Sequence, residues 1–347
     1  MAKIKEVAEL AGVAPSSVSR ALSDHPDVSE EMKRRVLRAA DELGYRPNLL
    51  AQGLRSGQTR TIGFIVRDIS IPTFAGIVRG AEEEFESKGY SILLTNSLQR
   101  SSLEAKHIEM LSQRRVDGLI ISLQSESSSE TIRALGQLRI PIVLLDRELD
   151  SIEADSVCFA HSVGVCDAVE ALLELGHRRV AFIGGPAERR ASRDRLDGYV
   201  DALENAGLDV DDALVVQLPA IGYESARQAI FELLGREPRP TAIVAADGNL
   251  GVEILTVITE RGIELGRDMT LVVCDDHALL RMVKPPISVV ARDVELMGRT
   301  AAQLLLARLR DGSALPRREV LPTTFIRRAL SSPSGVDSVA VPALDAL

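Results

Sequence analysis

From Thr61 onward, short apolar runs alternate with amphipathic stretches of helical period, and this alternation constrains the fold more than any other feature. The runs are rich in Val, Ile and Leu, which is typical of parallel strands covered on both faces. They read IGFIV, YSILLT, GLIIS, PIVLL, RVAFIG, ALVVQL, TAIVAA, MTLVVC and ISVVA. Nine such runs, with helical stretches between most of them, are more than a single doubly wound sheet usually contains. We therefore predict two similar sheets with a small-molecule cleft at the carboxyl ends of their strands.

Composition limits the class of protein further. The chain has 347 residues, of which 45% are hydrophobic and only 3% aromatic, so its cores must be packed with aliphatic side chains. Its three cysteines, Cys158, Cys166 and Cys274, are too few and too scattered for a disulfide framework, which indicates the reducing cytoplasm. No apolar signal stretch follows Met1, and no uncharged run approaches the roughly 20 residues that span a bilayer. We expect neither secretion nor membrane insertion.

Charge is distributed unevenly along the chain. Residues 1–60 carry 10 Lys or Arg against 8 Asp or Glu, a net +2, whereas residues 61–347 carry 31 against 42, a net −11. A small basic module followed by a large acidic one is common in nucleic-acid binders with a separate sensing domain. On charge alone, a solvated charged surface is an equally good interpretation.

Three short helices are predicted before residue 46. Apolar residues recur at helical spacing from Ile4 to Leu10, and Gly12 can then adopt a positive φ in a tight turn. Pro15 suits the first turn of a second helix, because its missing N–H costs nothing there. Ser29 can cap a third helix. The inner face of that third helix is expected to hold Met32, Val36, Leu37, Ala40 and Leu43.

Two short helices joined by a glycine turn match the helix-turn-helix, whose second helix enters a DNA major groove. The polar face of the second helix offers hydroxyl and guanidinium donors to phosphates or base edges, and a proline ring that can touch a thymine methyl. The residues concerned are Pro15, Ser16, Ser17 and Arg20. The spacing alone leaves open an ordinary three-helix bundle with a polar face.

A resemblance to a known family runs from Ile4 to about residue 330. AGV precedes the second helix, VSRAL lies within it, and LGYRPN closes the third. Later motifs are RVDGLIIS, IPIVLLDR, LGHRRVAFIGGP, RLDGYVDAL, PTAIVAAD and the loop at Asp275. In these motifs the chain resembles the LacI/GalR family, the lactose-repressor-like transcriptional regulators.

The resemblance implies an α/β architecture with an N-terminal all-α DNA-binding domain. It assigns residues 1–46 to the helix-turn-helix and residues 47–60 to a hinge helix and linker. Residues 61–330 form an effector-binding and dimerisation core, similar to periplasmic binding proteins, with two doubly wound parallel-sheet subdomains. The chain crosses between these subdomains near residues 160, 290 and 322. Residues 331–347 are expected to be a flexible tail, too short and proline-interrupted for a coiled coil.

For the DNA-binding half, the resemblance implies that Pro15, Ser16, Ser17 and Arg20 contact DNA. In the hinge, Leu54 would be driven into the minor groove, with Arg55 close to phosphates. Gly53 costs so short a helix roughly 1 kcal/mol relative to alanine, so we predict that the hinge folds only on operator DNA. One departure concerns Ala14, which stands where the family usually has Ser or Thr and offers no N-cap hydroxyl. The operator sequence cannot be inferred by analogy.

The resemblance also places candidate effector contacts in the loops that follow the strands. They are Asp68, Phe74, Gln124, Arg147, Phe159, Arg189, Arg195 and Asp275. Asp68 could equally cap the approach to a helix, and Arg189 with Arg190 could equally be a solvated charge run. Phe159 stands where relatives commonly have Asp, so a polar clamp is replaced, or the ring stacks on the ligand, or the pocket has drifted. The arginines favour a sugar acid or sugar phosphate, ahead of a neutral sugar or a nucleobase.

These observations predict a ligand-switched repressor that binds a roughly palindromic double-stranded operator as a homodimer. We expect no enzyme activity, no cofactor and no metal, because no phosphate-loop motif is present and no second cluster of ligands accompanies Cys274, Asp275, Asp276 and His277. The alternative is a sugar-binding protein without a DNA role. It would share the two-subdomain core but leaves the basic N-terminal module unexplained.

Overall fold

The computed structural model describes residues 2–22, 27–46, 58–219, 223–313 and 315–333, with the backbone alone described for 223–225. The chain divides into two compact units, Met1–Arg60 and Thr61–Leu347. Among the described residues, none of the helices is long and apolar enough to cross a bilayer.

The first unit contains three short helices packed around a small aliphatic core. They are α1 (Ile4–Ala11), α2 (Pro15–Leu22) and α3 (Glu30–Glu42). The fully enclosed side chains are Val7, Ala8, Ala11, Val18, Ala21, Val36, Ala39 and Ala40. Because all of these are Ala or Val, the helices can approach one another closely.

Local signals set the ends of these helices. Gly12 ends α1 with a φ of 63°, in the left-handed region that favours glycine. The Ser29 hydroxyl accepts a hydrogen bond from the Met32 N–H at 3.3 Å, which makes it the cap predicted for α3. The prediction for Leu37 is wrong, since this side chain is 47% exposed. The inner face of α3 is centred on Val36 and Ala39, and Leu37 is turned about 100° away from Val36 by the helical period.

The second unit contains two six-stranded sheets, and the first of them is entirely parallel, with the order β11-β5-β4-β3-β1-β2. Its strands are β1 (Thr61–Val66), β2 (Ser91–Asn96), β3 (Gly118–Ile121), β4 (Ile142–Leu145), β5 (Asp155–Phe159) and β11 (Arg318–Leu321). The helices that cover its two faces are α4 (Pro72–Glu86), α5 (Ser101–Gln113), α6 (Ser129–Gly136) and α12 (Val294–Arg310). Strands β1, β3, β4 and β5 are almost wholly buried, which explains the nearly continuous apolar sequences of β1, β3 and β4.

The second sheet has the order β12-β10-β9-β8-β6-β7, parallel except for β12, which runs antiparallel to β10. Its strands are β6 (Val180–Gly184), β7 (Val215–Gln217), β8 (Ala242–Ala245), β9 (Thr270–Cys274), β10 (Ser288–Arg292) and β12 (Thr323–Ile326). Its helices are α7 (His161–Glu174), α8 (Arg190–Asn205), α9 (Tyr223–Leu234), α10 (Gly248–Glu260) and the short α11 (Ala278–Met282). Each sheet with its helices therefore forms one subdomain.

Three strands were not visible as apolar runs in the sequence, and all three lie where the chain passes between the sheets. The chain leaves the first sheet after β5, returns after β10 to form β11, and reaches the second sheet again at β12. Only Pro322 separates β11 from β12. These strands carry charged or hydroxyl residues, and β11 is largely exposed at a sheet edge, so their apolar period is interrupted.

Helices α4 and α12 pack backbone to backbone through glycine. A Cβ atom at Gly298 would collide with the carbonyl oxygen of Ile77, and one at Gly80 would collide with the carbonyl oxygen of Glu295. The contact is thus made by main-chain atoms that cannot be moved aside by a rotamer change. It fixes the position of α12, which joins the second sheet to the first.

We predict that Gly298→Ala destabilises the protein by about 1 to 3 kcal/mol, because the added methyl forces the two helices apart. Gly312→Ala is the matched control, since a Cβ there would meet no atom within 4 Å. The measurement is chemical denaturation of both variants beside the wild type. Equal midpoints for the two variants would show that the helices can separate without cost.

Candidate functional site

A cleft of about 300 Å³ lies in the second unit and is lined from both subdomains. Residues that directly follow strands form much of its wall, as expected for ligand sites at the carboxyl ends of parallel strands. Those contributed by the first sheet are Arg67, Asp68, Asp146 and Arg147. Those contributed by the second are Asp247, Asp275 and Arg292. The two sheets therefore direct their functional ends at one enclosed space.

Six of the eight side chains predicted to contact an effector line this cleft. They are Asp68, Phe74, Arg147, Arg189, Arg195 and Asp275. Asp68 accepts hydrogen bonds from the N–H and hydroxyl of Ser70 and from the Gln99 amide, so it organises its own loop. Arg189 is only 5% exposed, which excludes the alternative of a solvated charge run at this position.

Gln124 and Phe159 are not among the lining residues. The backbone N–H of Gln124 donates to Glu104 Oε2 at 2.9 Å, which ties its loop to α5. Phe159 is fully buried, with its ring edge-on to His161 at 5.9 Å between centroids and 5.2 Å from the Arg292 guanidinium. Stacking of Phe159 on a ligand is thus ruled out in this structure, because Arg292 and His161 already cover the ring.

Arg292, at the end of β10, joins the two subdomains through a carboxylate on each. Its Nη1 donates to Asp146 Oδ2 at 2.9 Å, and its Nη2 donates to Asp275 Oδ2 at 3.0 Å. Burial opposes the charged form, but Asp275 and Asp146 outweigh it and raise the pKa of Arg292. Arg292 was not among the predicted contacts, although its position at the carboxyl end of a strand is a signal visible in the sequence.

Asp146 and Asp275 hold comparable positions, after β4 and β9, and both have left-handed backbones with φ of 51° and 77°. Aspartate tolerates this region better than most residues, and such conformations cluster at functional sites. Asp146 also accepts from the Phe159 N–H at 3.0 Å and lies 3.2 Å from His161 Nε2. Burial would raise the pKa of Asp146, but His161 and Arg292 hold it well below its usual range. Burial, followed by the charge of Arg195, lowers the pKa of His161 to about 4.

Three further arginines gather in the cleft with neutral partners. Arg67 Nε donates to the Ser122 hydroxyl at 3.2 Å, Arg147 Nη1 to the backbone carbonyl of Asp146, and Arg189 Nη2 to Gln99 Oε1 at 3.3 Å. Burial, followed by the charges of Arg147 and Arg189, holds the pKa of Arg67 well below its usual range. Burial and the charge of Arg147 lower the pKa of Arg189 to about 10. The three guanidinium groups therefore repel one another.

Helix α8 supplies contacts that cross from the second subdomain to the first. Besides the bond from Arg189 to Gln99, Arg193 Nη2 donates to Glu126 Oε2 at 2.9 Å. Arg190 lies 3.7 Å from Glu148, measured from Nη1 to Oε1. These contacts hold the first turn of α8 against the first subdomain.

Glu104, behind the cleft, is a fully buried carboxyl group. It accepts hydrogen bonds from the Gln124 N–H and the Thr131 hydroxyl, both at 2.9 Å. Burial outweighs these bonds and raises the pKa of Glu104 to about 7.

The exposed face of α2 carries the side chains predicted to contact DNA. Pro15, Ser16 and Arg20 are exposed and Ser17 is half-buried, while Val18 on the opposite face is enclosed. Leu54 and Arg55, the predicted hinge contacts, lie outside the described residues. Within the described part of the chain, no three His, Cys, Asp or Glu side chains are grouped so that they could hold a metal ion.

We predict that Arg292→Gln destabilises the protein by about 3 kcal/mol, because it removes the cation shared by two largely buried carboxylates. Arg281→Gln is the control, since Arg281 is 65% exposed and its partner Asp276 also pairs with Arg328, so the lost interaction is worth less than about 1 kcal/mol. Urea denaturation at neutral pH measures both. A similar small loss in the two variants would contradict the bridging role of Arg292.

The raised pKa of Glu104 predicts that the free energy of unfolding depends on pH. A carboxyl group whose pKa is higher in the folded state binds more protons there, so its stabilising effect is present at low pH and is lost as pH rises through 7. Relative to Glu104→Gln, the wild type should lose about 3 kcal/mol of unfolding free energy between pH 4.5 and pH 7. His161 titrates in both proteins and cancels in the difference. Parallel stability curves would contradict the raised pKa.

The modular arrangement is matched by known family models. The model for bacterial regulatory proteins of the lacI family matches residues 3–48, and the model for a periplasmic binding protein-like domain matches residues 169–329. Among relatives, the HTH-type transcriptional repressor PurR of Haemophilus influenzae (strain PittEE) is 30% identical, over 96% of this chain and 99% of its own.

Solved structures agree with these matches. A complex of the transcriptional regulator CelR with cellobiose has 30% identity and a TM-score of 0.72, covering 94% of this chain and 99% of its own. The lac repressor dimer bound to operator and the anti-inducer ONPF has 26% identity and a TM-score of 0.82, covering 94% and 98%. With both modules matched and similarity along nearly its whole length, the chain belongs to the lacI family of bacterial regulatory proteins and is a DNA-binding transcriptional regulator.

Proposed function

We propose that this regulator is a homodimeric repressor of an approximately palindromic operator, and that a small metabolite of the sugar class, held in the cleft, sets its operator affinity. The single strongest support is that one chain combines an exposed helix-turn-helix face with a cleft lined from two subdomains. Two similar structures supply the precedent, the lac repressor dimer on its operator and CelR with cellobiose.

We assign the chain as follows: residues 1–46 bind DNA, 47–60 form the hinge and linker, 61–330 bind effector and partner, and 331–347 are a tail. On α2, Pro15 and Ser16 would face base edges while Ser17 and Arg20 contact bases or phosphates. In the hinge, Leu54 would enter the minor groove and Arg55 would lie near phosphates.

In the cleft, the side chains proposed to contact the effector are Asp68, Phe74, Arg147, Arg189, Arg195 and Asp275. Carboxylate and guanidinium groups can orient hydroxyls, and the Phe74 ring can cover one face of a sugar. Gln124 and Phe159 would act indirectly, Gln124 through Glu104 and Phe159 through Arg292.

The switch requires a difference in ligand affinity between two arrangements of the subdomains. Contacts that span the cleft, such as the bridge from Asp146 through Arg292 to Asp275, give those arrangements different energies. A coupling of about 1 to 3 kcal/mol between effector and DNA is ordinary for such systems. We expect no catalytic activity, and we expect the protein to act in the cytoplasm, on the bacterial nucleoid.

The alternative function, sugar binding without DNA, leaves the first unit without a role. The polar face of α2 is exposed, while Val18 and Ala21 on the other side fill the core of this unit. A binding protein alone has no need of it.

The test of DNA binding is selection of bound sequences from random double-stranded DNA, followed by affinity measurements on the enriched site. We predict that Arg20→Ala weakens operator binding by about 1 to 3 kcal/mol, because a guanidinium contact is lost. Arg133→Ala, on an exposed part of α6, is the control and should bind normally. Failure to enrich any symmetric site would contradict the proposal.

A further inference from the structure

We propose that the effector carries a phosphate group and that Arg67, Arg147 and Arg189 form the subsite that binds it. The proposal rests on the function proposed above and specifies the chemistry of the ligand. It assigns the acidic end of the ligand to the arginines and leaves the hydroxylated remainder to the rest of the cleft.

The first observation is a set of buried donors without acceptors. Arg147 is 1% exposed, yet its Nε and Nη2 have no hydrogen-bond partner among the described residues. Arg189 is 5% exposed, and its Nε is likewise without a partner within the described chain. Buried donors of charged groups are costly unless they are satisfied, and both side chains line the cleft.

The second observation is that two largely buried arginines of the same unit, Arg292 and Arg308, are neutralised by carboxylates, whereas Arg195 in the cleft donates, among the described residues, only to the backbone carbonyl of Ala246. Arg292 binds Asp146 and Asp275, and Arg308 binds both oxygens of Asp155, at 3.1 and 3.0 Å. Within the described residues, no carboxylate lies within 4 Å of the guanidinium nitrogens of Arg147 or Arg189. The fold thus pairs Arg292 and Arg308 with carboxylates and leaves Arg67, Arg147 and Arg189 with neutral partners.

The acidic groups nearest to Arg147 are already engaged. Its positive charge is favoured by Asp146, Glu126 and Glu104, in that order. Asp146 binds Arg292, Glu126 binds Arg193, and Glu104 accepts from the Gln124 N–H and the Thr131 hydroxyl. Each of these carboxylates is thus occupied by another donor. An acceptor from outside the chain would satisfy the Nε and Nη2 of Arg147.

The number and arrangement of the donors favour phosphate over a carboxylate. Three arginines line the same cleft, two from the first subdomain and one from the second. The charges of Arg147 and Arg189 lower the pKa of Arg67, and the charge of Arg147 lowers that of Arg189. A phosphate monoester carries up to two negative charges and three terminal oxygens, so it can accept from several forks at once. A carboxylate offers one charge and two oxygens in a plane. A bound phosphate would therefore relieve more of the repulsion among the three guanidinium groups than a bound carboxylate would.

The remainder of the ligand would lie against Asp247 and Asn249, which line the same cleft at the start of α10. A carboxylate and an amide suit hydroxyl groups. The volume of about 300 Å³ is at the lower end for ligand sites, which suits a phosphorylated monosaccharide.

The test uses the full-length protein and inorganic anions, so it does not depend on knowing the sugar. Orthophosphate and sulfate are titrated at constant ionic strength with chloride as the balancing ion, and the Tm is followed. We expect a saturable rise of several degrees for the wild type. Arg147→Gln and Arg189→Gln should weaken the apparent affinity for orthophosphate at least tenfold. Arg139→Gln removes the same charge at an exposed site of the first subdomain and should behave as the wild type.

Acetate is the probe for a carboxylate, and orthophosphate is the probe for a phosphate group. If acetate stabilised the protein at a lower concentration than orthophosphate, the assignment to phosphate would be overturned. Equal orthophosphate affinity in wild type and Arg147→Gln, or no saturable effect in the wild type, would overturn the subsite. Because each variant removes one of three mutually repelling charges, its Tm without anion should equal or exceed that of the wild type. A lower value in both variants would show a structural role and contradict the proposal.

Operator binding by the same variants, measured without anion, separates this proposal from the function on which it rests. Normal operator binding by the wild type, together with no saturable anion effect in the wild type, would refute the subsite alone. Absence of operator binding in the wild type would refute the proposed repressor function and leave the anion measurements standing.

Discussion

The link from Asp146 through Arg292 to Asp275 is the interaction on which the cleft depends. It joins the carboxyl ends of β4 and β9, one in each sheet, through a single guanidinium group. Because one guanidinium group is shared by two largely buried carboxylates, moving the subdomains apart would cost at least one of these ion pairs. Two neighbouring residues support the link. His161 Nε2 and the Phe159 N–H both lie within hydrogen-bonding distance of Asp146, and the Phe159 ring packs against the Arg292 guanidinium.

Around this link the charges of the cleft are separated. On one side, acid and base are matched and their hydrogen bonds are satisfied. On the other, Arg67, Arg147 and Arg189 meet only hydroxyl, carbonyl and amide oxygens. Folding alone does not favour such an arrangement, because buried charges are stable only when they are paired. A protein that keeps it uses some of its folding energy to prepare a binding site.

The sequence was informative where a residue's role depended on its neighbours in the chain. Strands with continuous apolar runs, the Ser29 cap and the turn at Gly12 follow from local chemistry, and the strand-end positions of Asp275 and Arg147 placed them in the cleft. Arg292 was missed because its partner Asp146 is 146 residues away, and nothing local distinguishes it from any arginine that ends a strand. Phe159 was assigned to the ligand for the same reason, since only the folded structure brings Arg292 over its ring. Strands β11 and β12 escaped detection because pairing with a sheet edge, rather than burial, makes them strands.

The first turn of α8 has a consequence for how the cleft can open. Arg189 is the N-cap of α8, and Arg190 and Arg193 lie in its first turn. Each reaches a different residue of the other subdomain: Gln99, Glu148 and Glu126. Separation of the subdomains would remove these three contacts together with the link through Arg292, so several contacts, rather than one, favour the closed arrangement. An effector that opened the cleft would therefore need enough additional binding free energy in the open arrangement to offset the loss of all of them.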